Sequence, residues 1–133
     1  MTEGVTAVTG SHIAVVDDDP SFREAMVGLL RAIGLEVTGF ESALVYLEGL
    51  AGENQRPVDC LVLDVNMPRM TGPELQVHLA EAGIVTPIIF MTSQNDERLR
   101  ARVLSAGAIE VLDKPCDQRR LLAALERALN LAL

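Results

Sequence analysis

The sequence predicts an α/β fold in which one parallel sheet is covered on both faces by helices, and two observations carry that prediction. Short apolar runs that read as buried strands alternate with stretches of helical period, five times over. The polar residues with chemistry to offer fall just beyond those runs: Asp17, Asp18 and Asp19, then Asp64, then Thr92 and Ser93, then Lys114. A length of 133 residues suits one domain with one sheet.

The first strand is expected over 13–16, apolar at every position, as a parallel strand buried on both faces would be. Asp19 then reads as a helix N-cap and Pro20 as the first helical residue, where its missing N–H costs nothing. Phe22, Ala25, Met26, Leu29, Leu30 and Ile33 recur at spacings of three and four, which makes one apolar stripe, and Gly34 ends the helix. A weaker strand follows over 36–40, and Leu44 and Leu47 mark the second helix. Residues 52–57 form a polar loop before the third strand, 58–63, and Pro73, Leu75 and Leu79 mark the third helix. The fourth strand is expected over 88–91, with Leu99 and Val103 on the helix after it. A weaker fifth strand over 109–112 precedes a helix carrying Leu121, Leu122, Leu125 and Leu129. Strict alternation with right-handed crossovers leaves few topologies, of which a flavodoxin-like, doubly wound five-stranded sheet of order 2-1-3-4-5 with five helices fits best. Such sheets bind ligands beyond the carboxyl ends of the strands, where the chain order reverses.

Composition narrows the function. The chain is 49% apolar and 23% charged, far from the signature of disorder, and its net charge of −8 argues against direct binding to nucleic acid or an anionic membrane. Its apolar runs fall well short of the roughly 20 residues needed to cross a bilayer. Residues 1–11 have neither a basic start nor a long apolar stretch and read as a flexible N-terminal tail, so a cytoplasmic location is expected. Cys60 and Cys116 have neither disulfide-framework nor metal-ligand spacing and read as reduced thiols.

If the fold is right, the strand-end residues converge. Unit charges about 4 Å apart at an effective dielectric near 20 repel by about 4 kcal/mol, so the gathered carboxylates call for a cation. Oxygen-only ligands point to Mg²⁺, which takes one or two carboxylates and keeps positions open for a phosphate oxygen. Asp64 follows an almost wholly apolar strand, where a carboxylate is costly unless solvated, paired or metal-bound, and it is the best nucleophile candidate. A carboxylate can accept a phosphoryl group as an acyl phosphate, a transfer helped mainly by positioning and charge neutralisation. Lys114, the chain's only lysine, suits a phosphoryl oxygen; its bland alternative is a surface pair with Asp113 or Asp117. Thr92 offers a hydroxyl to the transferred group, although a turn residue is as natural at a strand end.

The segments VVDDDPSFR (15–23), LVLDVNMPRMTG (61–72), IIFMTS (88–93) and AGAIEVLDKP (106–115) resemble, in this order and spacing, the receiver domains of two-component response regulators. The resemblance spans about residues 11–131 and implies a receiver domain over 12–133. It implies that Asp17 and Asp18 hold Mg²⁺ together with Asp64 and the backbone carbonyl of Asn66. Asp64 would be the phosphoacceptor, Thr92 the switch hydroxyl and Lys114 the phosphate-binding lysine. It also implies a cis Lys114–Pro115 peptide, and places Asn66 and Gln94 near the phosphate. The donor would be a sensor histidine kinase or phosphotransfer protein, and the domain would catalyse only its own phosphorylation and dephosphorylation. The signal would pass to an output domain, or to a second copy met through the face of the fourth helix, fifth strand and fifth helix. Two departures stand out: Val111 where many receivers have Tyr or Phe, and Cys116 where Phe usually follows Lys-Pro. Activation is therefore expected through the loop after Thr92 and repacking of the fourth helix rather than an aromatic switch.

Two other readings bear comparison. Asp17-x-Asp19-x-Ser21 also resembles the nucleophile motif of haloacid-dehalogenase-type phosphatases, but that reading leaves Asp64 without a role and lacks a further acidic motif after the lysine, where Asp117 stands alone. A receiver-like module that docks without phosphorylation would need a broken site, and all five site residues are present. His12 reads as merely preceding the first strand, His78 as a surface or partly buried helix residue rather than a phosphorelay histidine, and Arg98, Arg100 and Arg102 as a basic helix face, solvated by default and a partner or dimer contact as the alternative.

Overall fold

The computed structural model describes residues 10–52 and 56–129, so most of the expected N-terminal tail lies outside the described residues. The elements are β1 (His12–Val16), α1 (Pro20–Ala32), β2 (Glu36–Phe40), α2 (Ala43–Leu50), β3 (Cys60–Asp64), α3 (Gly72–Glu81), β4 (Ile88–Thr92), α4 (Glu97–Ser105), β5 (Glu110–Asp113) and α5 (Gln118–Ala128). The five strands lie in the order β2-β1-β3-β4-β5 and every neighbouring pair is parallel, the flavodoxin-like arrangement predicted.

Because successive strand residues face opposite sides, each buried strand feeds two cores. Ile13, Val15, Val62, Ile89 and Leu112 pack with Met26 and Leu30 of α1 and Leu121 and Leu125 of α5. Ala14, Val16, Leu61, Leu63, Phe90 and Val111 pack with Tyr46 of α2, Leu75 and Leu79 of α3 and Val103 of α4. Register then aligns the strand ends: Val16 lies opposite Leu63, Asp64 opposite Met91 and Thr92 opposite Asp113. Order reverses about β1 and β3, so the crevice beyond their carboxyl ends is where Asp17 and Asp64 meet.

Three local expectations are corrected. The third strand starts at Cys60 rather than at 58, because Asp59 turns its carboxylate to the His12 N–H (2.8 Å) instead of continuing the apolar run. His12 does not merely precede β1 but opens it, buried, with Nδ1 2.9 Å from the Pro57 carbonyl and Nε2 2.9 Å from the Thr38 hydroxyl. Arg100 is not part of a freely solvated face: its guanidinium donates to the Val111 carbonyl at 2.8 Å and lies 3.9 Å from both Glu110 and Asp113. Arg98, Arg102 and His78 are exposed, as expected.

Each helix starts on a side-chain cap. Asp19 accepts the Ser21 and Phe22 N–H groups, as its place before Pro20 suggests, and Ser42, Asp96 and Asp117 cap α2, α4 and α5. Thr71 and Glu74 form a reciprocal capping box on α3, the helix whose start adjoins Asp64. Thr71→Ala is expected to cost about 1 kcal/mol in urea unfolding, because it orphans the Glu74 N–H and the return bond of the Glu74 carboxylate loses its fixed partner geometry.

Candidate functional site

Asp17 leaves β1 almost completely buried, and its position is over-determined. Its N–H donates to the Phe40 carbonyl (3.1 Å), Arg23 donates to its carbonyl (2.7 Å), and its Oδ1 accepts the Asp19 N–H (2.9 Å). Asp64, last residue of β3, is also buried, whereas Asp18 is exposed beside them. One carboxylate oxygen from each of the three lies within 4.8 Å of the others.

Lys114 reaches into this cluster from the end of β5. Its Nζ is 2.7 Å from Asp17 Oδ2 and 3.1 Å from Asp64 Oδ1, so it does not form the surface pair with Asp113 or Asp117 that was its bland alternative. Its N–H donates to the Thr92 carbonyl at 2.8 Å, tying the end of β5 to the end of β4, and the Lys114–Pro115 peptide is cis. The ammonium also sits 4.4 Å above the centre of the Phe22 ring.

Electrostatics follow from that geometry. Burial, and after it the Asp17 charge, push the Asp64 carboxyl up to about 7, against the downward pull of Lys114. Burial pulls Lys114 down, but the close Asp17 carboxylate and the Asp64 charge outweigh it and raise Lys114 above its ordinary value. Despite the close ammonium, Asp17 Oδ2 makes no well-directed hydrogen bond among the described residues. Three clustered carboxylates, of which Asp17 and Asp64 share one ammonium, together with a buried oxygen left without a directed donor, fit a hard divalent cation in donor type and in charge.

Thr92 ends β4, buried, and its hydroxyl is engaged in its own turn: Oγ1 donates to the Gln94 carbonyl and accepts the Gln94 N–H, both at 3.1 Å. Asn66 is exposed two residues beyond Asp64, and its N–H lies 3.4 Å from Asp64 Oδ1. Asp19, the second aspartate of the phosphatase-like motif, has its carboxylate occupied in capping α1. Val111 is buried in the core beneath α4, with no aromatic ring at its position, and Cys116 is half-buried against the α1–α5 core. Both cysteines are free, and burial pushes both thiols up.

Three residues that shape the site fall within the segments that resemble receiver domains, yet nothing in their residue type signals what each one does. Gly72, the first residue of α3, packs directly on the Asp64 carbonyl. Phe22 reads there only as part of an apolar stripe. Arg69, in the loop between β3 and α3, has φ of +72°, the left-handed region that costs a residue with Cβ roughly 1–2 kcal/mol. Nothing in an Arg between Pro68 and Met70 signals that backbone. Arg69→Gly is expected to stabilise the fold by about 0.5–1 kcal/mol in chemical denaturation, the relief of strain exceeding the extra entropy of an unfolded glycine.

Comparison with known proteins identifies the family and supports the fold. The family model of the response regulator receiver domain matches residues 13–126. The response regulator protein TmoT of Ectopseudomonas mendocina is 42% identical over 122 residues, covering 92% of this chain and 54% of that protein. TodT of Pseudomonas putida F1 is 40% identical over 122 residues, covering 92% of this chain and 52% of that protein. The chain thus spans about half the length of these curated relatives. Among solved structures, the response regulator StyR superposes with a TM-score of 0.81 at 41% identity, covering 92% of this chain and 61% of that one. FixJ-N superposes with a TM-score of 0.81 at 28% identity, covering 94% and 98% respectively. Among the described residues no helix is long and apolar enough to cross a membrane.

Proposed function

Since this chain belongs to the response regulator receiver domain family, we propose that it accepts a phosphoryl group on Asp64 and converts that event into a conformational signal. The observation that carries the reading is the placement of the only lysine, whose ammonium lies between Asp17 and the buried carboxylate of Asp64. An ammonium so placed can follow the charge as it moves from carboxylate to phosphoryl oxygen.

In this reading a carboxylate oxygen of Asp64 bonds to phosphorus as the bond from phosphorus to the donor's histidine nitrogen breaks. Asp17, Asp18, Asp64 and the backbone carbonyl of Asn66 would hold Mg²⁺, which when bound supplies neutralisation of the phosphoryl oxygens. Lys114 pairs with one phosphoryl oxygen. Thr92 gives up its bond to the Gln94 carbonyl and donates its hydroxyl to another, which draws in the loop leading to α4. Because Val111 offers no ring to reorient, repacking of that loop and α4 is the output, a shift between two populated states. Asn66 and Gln94, next to the acceptor and the hydroxyl, tune how long the acyl phosphate lasts.

The working unit is residues 12–133, with 1–11 as a tail, operating in the cytoplasm. A sensor histidine kinase or phosphotransfer protein supplies the phosphoryl group. The signal leaves through an output domain or a second copy met at the α4–β5–α5 face, without direct contact to nucleic acid by this domain. The domain catalyses only its own phosphorylation and dephosphorylation.

The test is intact-mass analysis after incubation with acetyl phosphate, with and without Mg²⁺, for the wild type and Asp64→Asn. A single Mg²⁺-dependent phosphoryl adduct, absent from the variant, is expected. An adduct that persists in Asp64→Asn, continuous turnover of phosphomonoesters, or no adduct together with no binding of beryllofluoride would each overturn the reading.

A further inference from the structure

We propose that Phe22 is a positioning residue for Lys114, using the face of its ring to keep the ammonium at the carboxylate cluster in every state of the site. This deepens the phosphoacceptor reading above and rests on it. Phe22 is the third residue of α1, and the Asp19 cap that accepts its N–H fixes the turn from which the ring projects. The ring is half-buried against the core shared by α1 and α5, and Lys114 Nζ lies 4.4 Å from its centre.

The ammonium thus has three partners of two kinds. Asp17 Oδ2 and Asp64 Oδ1, at 2.7 and 3.1 Å, are the very groups that a divalent cation and a phosphoryl group would claim. The ring is claimed by neither. Its attraction comes from the negative face of the π-system, which takes up no proton and binds no hard cation in competition. That attraction strengthens when the cation is desolvated, and the Lys114 side chain is only 15% exposed. A four-carbon stem has several rotamers to lose, so a surface that holds the ammonium after its carboxylate partners are taken keeps it within reach of the incoming oxygens. An aliphatic side chain at position 22 would fill the same space without that attraction.

Because Lys114 is the only lysine, the full chain made with ¹³C,¹⁵N-lysine gives one set of lysine signals, and ring-current shifts report directly on ring and ammonium. In the metal-free wild type the Lys114 ε-methylene protons are expected upfield of their position in the unfolded chain. Phe22→Leu should abolish that shift and Phe22→Tyr should keep it. In parallel, the rate of phosphorylation by acetyl phosphate should fall by about threefold to tenfold in Phe22→Leu, as expected for losing one desolvated cation–π contact, and recover in Phe22→Tyr. In a Lys114→Met background Phe22→Leu should cause no further fall. An unshifted lysine signal in the wild type, a signal unchanged by Phe22→Leu, or an equal rate loss with and without the lysine would overturn the proposal, the last showing a ring that merely fills space. Should the wild type take no phosphoryl group at all, the functional reading would fail, and the lysine signal would still decide the placement by itself.

Discussion

Replacing Gly72 by alanine is expected to destabilise the domain by about 2–4 kcal/mol and to slow phosphorylation of whatever folded protein remains. A Cβ at position 72 would stand 2.3 Å from the Asp64 carbonyl oxygen, 3.1 Å from its carbonyl carbon and 3.0 Å from Cε1 of Phe90. Two of those three atoms are backbone of a central strand and the third belongs to a fully buried ring, so no flexible side chain can give way. Either α3 lifts from the sheet, breaking the bond from the Gly72 N–H to the Val65 carbonyl (3.0 Å), or the Asp64 peptide shifts and carries its carboxylate away from Lys114. Gly28 provides the control. It sits within α1, and a methyl group there would have nothing within 4 Å, so Gly28→Ala should raise stability by about 0.5–1 kcal/mol. Urea melts of the two variants, expected to move in opposite directions, separate a close approach from ordinary glycine flexibility. A Gly72→Ala protein as stable as the wild type would mean that the contact between β3 and α3 can relax.

The contrast between these glycines also shows what can be read from the sequence. The five strands and the cluster beyond their ends are legible because burial on both faces forces apolar runs, and because a buried parallel sheet of this order leaves one edge for polar residues. Asp17, Asp64, Thr92 and Lys114 can therefore be placed together from the order of runs and helices alone. Contacts made across the fold by residues ordinary in type are not legible. His12 looks like a boundary residue until Pro57 and Thr38 are brought to its two nitrogens, and Arg100 looks solvated until α4 is laid along β5. Phe22 satisfies the apolar stripe of α1 whether or not a lysine lies over it. Arg69 lies in the loop before α3 and Gly72 opens that helix, and only the structure shows that the glycine is needed for space rather than for φ, while the arginine carries the φ that a glycine would suit.

The electrostatic cost of gathering the site leads to the other large effect: without divalent cation, the stability contributed by Asp64 is expected to fall as pH rises from about 4 to about 7 and to level off above. Asp64 is raised from an ordinary 3.8 to about 7, first by burial and then by Asp17. Across that window the folded state keeps a proton that the unfolded chain has already released, so raising the pH favours unfolding. A three-unit shift corresponds to at most about 4 kcal/mol, and because Asp17 and Lys114 share the charge with Asp64, about 1–3 kcal/mol is the expected size. Asp64→Asn removes the titrating group, so the difference in stability between variant and wild type isolates it from every other titration. That difference should be near zero around pH 4 and favour the variant by about 1–3 kcal/mol at pH 8. Mg²⁺ should reverse the order at pH 8, because a cation that binds only the folded state with its ligands deprotonated adds stability, about 2.7 kcal/mol at a hundredfold excess over its dissociation constant. Parallel pH curves for wild type and Asp64→Asn would mean that the buried carboxylate keeps an ordinary affinity for protons, and that Lys114 alone balances the cluster.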